Sequence, residues 1–177
     1  MKRIALLVSF AAALSAPVSA QPPKPAAPAP AKPAKAPEPA KPVTFGAPEP
    51  LSIVSGGKTS SFQVEVADTP AKAAQGLTGR AELAKDHGML FDFRAAPQDS
   101  GVTMKGVTLP LDVLFLDPDG TVSAIAEDAK PGSWRKITPG FPVAFAVEIQ
   151  AGLVKELGLK PGDKVQHKLI HAPSENG

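Results

Sequence analysis

The stretch Leu111–Glu127, LDVLFLDPDGTVSAIAE, decides the fold class. Leu111 to Asp117 is an apolar run of strand length, Asp117-Pro118-Asp119-Gly120 has the composition of a tight turn, and Thr121 to Glu127 returns from it. The three parts predict an antiparallel hairpin. A calcium loop is the competing reading of the same turn. The later ligand positions of an EF-hand loop are missing, including the bidentate glutamate, so the turn reading is taken.

Strand signals continue on both sides. Phe62, Val64 and Val66 alternate with Gln63 and Glu65, the period of a half-buried strand, and HGMLFDF (His87–Phe93) reads as another. Between them, Thr69 is placed to cap a short helix with Pro70 at its first position and Gly76 as its stop. Downstream, VAFAVEI (Val143–Ile149) predicts a strand, Gly152–Leu157 a second short helix ended by Gly158, and KVQHKLI (Lys164–Ile170) a last strand after the Pro161–Asp163 turn. Many short strands, two short helices and no βαβ rhythm predict a mainly β fold, a single sandwich or barrel-like domain.

The ends have a different character. Lys2 and Arg3 precede an apolar run, and Val18-Ser19-Ala20 has the small residues of a cleavage site, so residues 1–20 read as a secretory signal peptide. Its apolar run is too short for a spanning helix, and no membrane span is expected after cleavage. Residues 21–42 are almost wholly proline, alanine and lysine, a linker held near polyproline II that could reach ~70 Å. The folded domain is expected over 43–171, with a tail at 172–177. The location expected is periplasmic or secreted.

From Val43 onward there are 13 basic and 16 acidic side chains, a net −3, so the overall +2 belongs to the leader and linker. The domain has no basic cluster with interleaved aromatics, and no nucleic-acid partner is expected. Cysteine and tyrosine are absent, which excludes disulfides, thiol chemistry and a phenolic acid. There is no nucleophile elbow, HExxH, P-loop or dinucleotide fingerprint, and no cofactor or metal is expected. His167 and His171 would lie about 13 Å apart on an extended strand, too far to share one metal.

Charge inside apolar sequence marks the candidate site. Lys105 and Asp112 interrupt GVTMKGVTLPLD (Gly101–Asp112), and a buried carboxylate there must be paired or hydrogen-bonded. Asp112 either takes backbone amides or pairs with Lys105 or Arg80 to fix the strand entry, or else lines a cleft with Lys105 and Arg80 or His87. Trp134, the only tryptophan, lies with Arg135 and Lys136 in the long connection between Glu127 and Pro142. It serves there as a core clamp or as a binding platform. The ligand-binding candidates are Arg80, His87, Lys105, Asp112 and Trp134.

The blocks VEVADTPAKAAQGLTGR, HGMLFDF, MKGVTLPLDVLFLD and VEIQAGLVKELGLKPGD, in that order, resemble the DUF192 family of small prokaryotic domains. The matching positions are Arg80, Gly88, Met89, Phe91, Met104-Lys105, Pro110-Leu111-Asp112, Glu148 and Gly152. The resemblance implies a mainly β, sandwich-like domain with exported members, and it brings no established activity. The chain departs from the family at Lys105, where Thr103 stands in place of an aromatic and Gly106-Val107 in place of Asn-Thr.

The function expected is an exported envelope binding or accessory module, its partner an envelope component or a small polar ligand. One alternative is a glycan- or peptide-acting enzyme with Asp112 as general base and Lys105 or His87 as charge stabiliser. A carboxylate pair in one groove, drawn from Asp86, Asp92 and Asp112, would mark it. The other alternative is a purely structural or protein-partner module.

Overall fold

The computed structural model describes residues 43–97 and 100–171. The expected signal peptide, linker and tail lie outside the described residues. The elements are β1 (Glu49–Ser55), β2 (Lys58–Ala67), α1 (Pro70–Gln75), β3 (His87–Asp92), β4 (Val102–Thr103), β5 (Leu111–Leu116), β6 (Val122–Ala129), β7 (Lys136–Ile137), β8 (Phe145–Gln150), α2 (Leu153–Leu157), β9 (Lys164–Gln166) and α3 (Lys168–His171). Seven strands make one sheet in the order β6-β5-β8-β3-β2-β1-β9, and β4 pairs with β7 in a separate ribbon. The expected hairpin is β5–β6, antiparallel from Leu111↔Ala129 to Leu116↔Val122.

The large sheet curls into a half-barrel. Its two outer strands meet at one end, where Thr121 bridges Lys164, the Val122 amide donates to the Asp163 carbonyl (2.9 Å), and the Val165 amide donates to the Gly120 carbonyl (2.8 Å). This contact satisfies part of the edges that an open sheet leaves unpaired. It also requires glycine at 120, because a Cβ there would stand 2.3 Å from the Val165 carbonyl oxygen.

Strand alternation divides the apolar side chains into two cores. Inside the curl lie Phe62, Val64, Leu114, Leu116, Phe145, Val147 and Ile149, sealed by Val165 and Ile170. On the opposite face Met89, Phe91, Val113, Phe115 and Ala146 pack under Leu77, Met104 and Val107. The central strands β5 and β8 are covered on both faces, which is why their sequences read as unbroken apolar runs.

Three expectations are corrected. Strands β2 and β3 run parallel with α1 between them, so one βαβ connection is present. Strand β9 stops at Gln166 and residues 168–171 are helical, which removes the extended-strand estimate for His167 and His171. The turn is fixed where the Leu169 amide donates to His167 Nδ1 (3.2 Å) and the Ile170 amide to the His167 carbonyl (3.1 Å). The connection from Glu127 to Pro142 is also shorter than expected, since β6 runs to Ala129 and β7 interrupts the remainder.

Candidate functional site

Two carboxylates are buried in the central strands, and their surroundings differ. Asp112, at the start of β5, is 1% exposed. Its Oδ1 accepts the Asp128 amide (2.9 Å), and its Oδ2 accepts the amides of Gly152 (2.9 Å) and Val154 (3.0 Å). Two of those donors are at the start of α2, so the carboxylate does the work of a helix cap, tying α2 and the end of β6 to β5. The third belongs to Asp128, whose positive φ of 53° turns its amide inward.

Glu148, in the middle of β8, is 2% exposed, and its Oε2 has no hydrogen-bond partner among the described residues. Burial alone pushes its carboxyl up to about 8, so at neutral pH the group holds its proton. It lies in register with Met89 on β3 and Val113 on β5, on the face of the sheet opposite the curl. Glu65 of β2 continues the same row, and its carboxylate is paired with Arg80.

Glu148 helps to wall a cleft of about 410 Å³ between α1, the end of β3 and the β4 segment. Ala73, Leu77, Phe91, Phe93, Val102 and Val107 give the walls their apolar character. The Phe91 and Phe93 rings stack at 6.1 Å with planes 21° apart. Two further carboxylates reach the lining, and each has a cation: Asp68 holds Lys72 (2.7 Å) and Asp92 holds Arg94 (2.7 Å). No lysine, arginine or histidine lines the cleft among the described residues. A volume of this size suits a small molecule, and apolar walls with a few placed polar groups are the usual make-up of such sites.

None of the five residues singled out in the sequence lines this cleft. Asp112 is enclosed and its oxygens are taken by three amides, so it pairs with neither Lys105 nor Arg80 and has no access to serve as a general base. Lys105 is exposed, with Nζ 4.2 Å from the centre of the Trp134 ring. Trp134 is 74% exposed, which excludes the core-clamp reading. Arg80 pairs with Glu65 and lies over the Phe45 ring, and His87 Nδ1 meets the Asp86 carboxylate at 2.8 Å. The structure therefore brings Lys105 and Trp134 together and leaves the other three with separate partners.

Glu148 is a site residue outside the five candidates that the sequence pattern yields. The available signal was the lone charge in VAFAVEI, the same kind of signal that marked Asp112. What distinguishes them is which face each occupies and which amides lie within reach, and both depend on strand register.

Fold and site together define a half-barrel β domain with a ligand-sized cleft and, in its wall, a buried carboxyl whose Oε2 has no partner among the described residues. The chain belongs to the DUF192 family, whose model, described as "Uncharacterized ACR", matches residues 52–167. A Sinorhizobium meliloti 1021 protein described as a "putative transcription regulator" is similar in structure at 40% identity and a TM-score of 0.67, over 71% of this chain and 97% of that one. A Novosphingobium aromaticivorans DSM 12444 protein of unknown function is similar at 35% identity and a TM-score of 0.63, over 67% and 84%. No curated protein matches the chain. No helix among the described residues is long and apolar enough to cross a membrane.

Proposed function

We propose that this chain is an exported accessory module that binds a small, largely apolar ligand in the cleft walled by α1, β3 and Glu148. The observation that carries the reading is the pairing of a 410 Å³ apolar cleft with a carboxyl oxygen that is buried and unpartnered. An unmet polar atom costs the fold about 1–3 kcal/mol, and a ligand group that meets it recovers that loss. Export rests on the leader and linker read in the sequence, which support a domain carried on a stiff tether in the envelope or beyond it. The net −3 of the domain supports a partner other than nucleic acid, and the regulator description of the Sinorhizobium protein is not carried over.

The exposed Lys105–Trp134 pair supports a second, separate contact surface for an envelope component. A fragment screen of the purified chain, read by backbone amide chemical shifts, tests both readings. Hits are expected to move the amides of Ala73, Phe91, Thr103, Val107 and Glu148, and to be lost in Ala73→Phe, which fills the cleft. Shifts confined to Trp134 and Lys105 would move the function to that surface, and an absence of hits at millimolar concentration would remove the cleft reading.

A further inference from the structure

Resting on the cleft reading, we infer that the ligand is a cationic amphiphile, a primary ammonium on an apolar or aromatic body, with the ammonium seated on Glu148 and the body against Phe91 and Phe93. Every other carboxylate in the lining already has a protein cation, Lys72 for Asp68 and Arg94 for Asp92. Among the described residues Glu148 Oε2 has no partner, and the lining supplies no cation. An ammonium brings the missing charge and hydrogen-bond donors in one group, and the stacked phenylalanine faces attract a cation as well as an apolar ring.

The charges around Glu148 leave its proton as the controlling equilibrium. Its own row presents Met89 and Val113 on the flanking strands and Ala126 beyond, with the Glu65–Arg80 pair two strands away on the other side, about 10 Å by strand spacing. The Asp68–Lys72 pair stands at the start of α1 and the Asp92–Arg94 pair at the end of β3, and Lys136 packs against Gly101 beside β4. Seating the ligand is then an exchange: the Glu148 carboxyl releases its proton to solvent, and the carboxylate so formed binds the ammonium. Since burial holds that proton up to about pH 8, amine affinity should rise about tenfold per pH unit below that value and level off above it. A neutral ligand that used the carboxyl as a donor would bind with constant affinity below about pH 8 and more weakly above it.

The test is calorimetric titration of the purified chain with 2-phenylethylamine, cyclohexylmethylamine and hexylamine, each beside the alcohol of the same skeleton, at pH 6, 7 and 8.5. The expected result is that the amines bind with Kd falling about tenfold from pH 6 to 7, that nearly one proton is released per amine at pH 6, and that Glu148→Gln abolishes both the tightening and the release. Amine affinity that is flat with pH, or that survives Glu148→Gln, would overturn the assignment of the ammonium to Glu148. Alcohols that bind where amines do not would end the ammonium class and leave the cleft reading standing. Failure of both series at millimolar concentration would end both.

Discussion

Asp112 and Glu148 stand on neighbouring strands one residue out of step: Asp112 is opposite Ile149, and Val113 is opposite Glu148. Because successive side chains leave a strand on opposite sides, the two carboxyls point to opposite faces of one sheet. On the inner face Asp112 finds the amides of Asp128, Gly152 and Val154, while on the outer face Glu148 finds apolar side chains and the cleft. One carboxylate is thereby a structural tie, and the other is a polar group held in reserve.

Replacing Asp112 should therefore harm stability far more than binding. Asparagine keeps one acceptor oxygen but turns an amide group toward backbone donors, so at least one of the three amides loses its partner. Each hydrogen bond to a charged group contributes about 1.5–3 kcal/mol, and Asp112→Asn should cost about 2–4 kcal/mol. Urea unfolding measures this, and a loss below about 0.5 kcal/mol would show that the three amides are satisfied in another way.

Glu148→Gln should behave in the opposite sense, with a pH signature. The carboxyl titrates at about 8 in the folded chain against an ordinary 4.5. Below about pH 4.5 both states hold the proton and the group adds no pH dependence to stability. Between that value and about 8 the unfolded chain ionises while the folded chain does not, so stability falls as pH rises, by a total on the order of 5 kcal/mol. Glutamine cannot ionise and is spared this loss. The stability of Glu148→Gln relative to wild type should climb steadily from pH 5 to pH 8 in urea unfolding, whereas a constant difference would mean that the carboxyl is not held neutral.

The strands with clean patterns were legible: the alternation of Phe62, Val64 and Val66, the unbroken run of β5 and its DPDG turn, and the Thr69-Pro70 start of α1 each identify their element. Strand β1 lies outside the elements that the sequence pattern predicts, although its turn is written in the sequence. Gly56 and Gly57, both at positive φ (54° and 79°), make the two-residue connection of the β1–β2 hairpin. The composition of KVQHKLI suits a longer last strand than forms, because the His167 turn and burial of Ile170 bend it into α3. The apolar neighbours of Asp112 point to its burial, but its partners lie 16 and 40 residues away in sequence, beyond any local pattern. The cleft shares that limit, since its walls come from α1, β3, the β4 segment and β8.

Trp134 offers a clean optical test of the exposed pair, being the sole tryptophan. With the ring 74% exposed, native emission should lie close to that of indole in water and be quenched readily by acrylamide. Trp134→Ala should change stability by no more than about 1 kcal/mol, because the Lys105 contact is an exposed cation–π pair. Blue-shifted, protected emission would return the ring to a clamping role.

The wall formed by α1 should be the part of the cleft that opens most easily. Its six residues include none that is buried, and so short a helix has little stability of its own. It is held by Thr69, whose hydroxyl accepts the Lys72 amide (3.3 Å) and whose carbonyl accepts the Ala73 amide (2.8 Å), and by the Asp68–Lys72 pair. Thr69→Ala removes the hydroxyl cap and should weaken the helix by about 1 kcal/mol. Because α1 adds no buried residue to the core, that loss should appear as local opening more than as global unfolding. Hydrogen exchange should therefore show the amides of Ala73 and Gly76 exchanging several-fold faster in Thr69→Ala, with those of β3 and β8 unchanged. Faster exchange throughout β3 and β8 would instead make α1 part of the cooperative core, and entry to the cleft would then need a different moving wall.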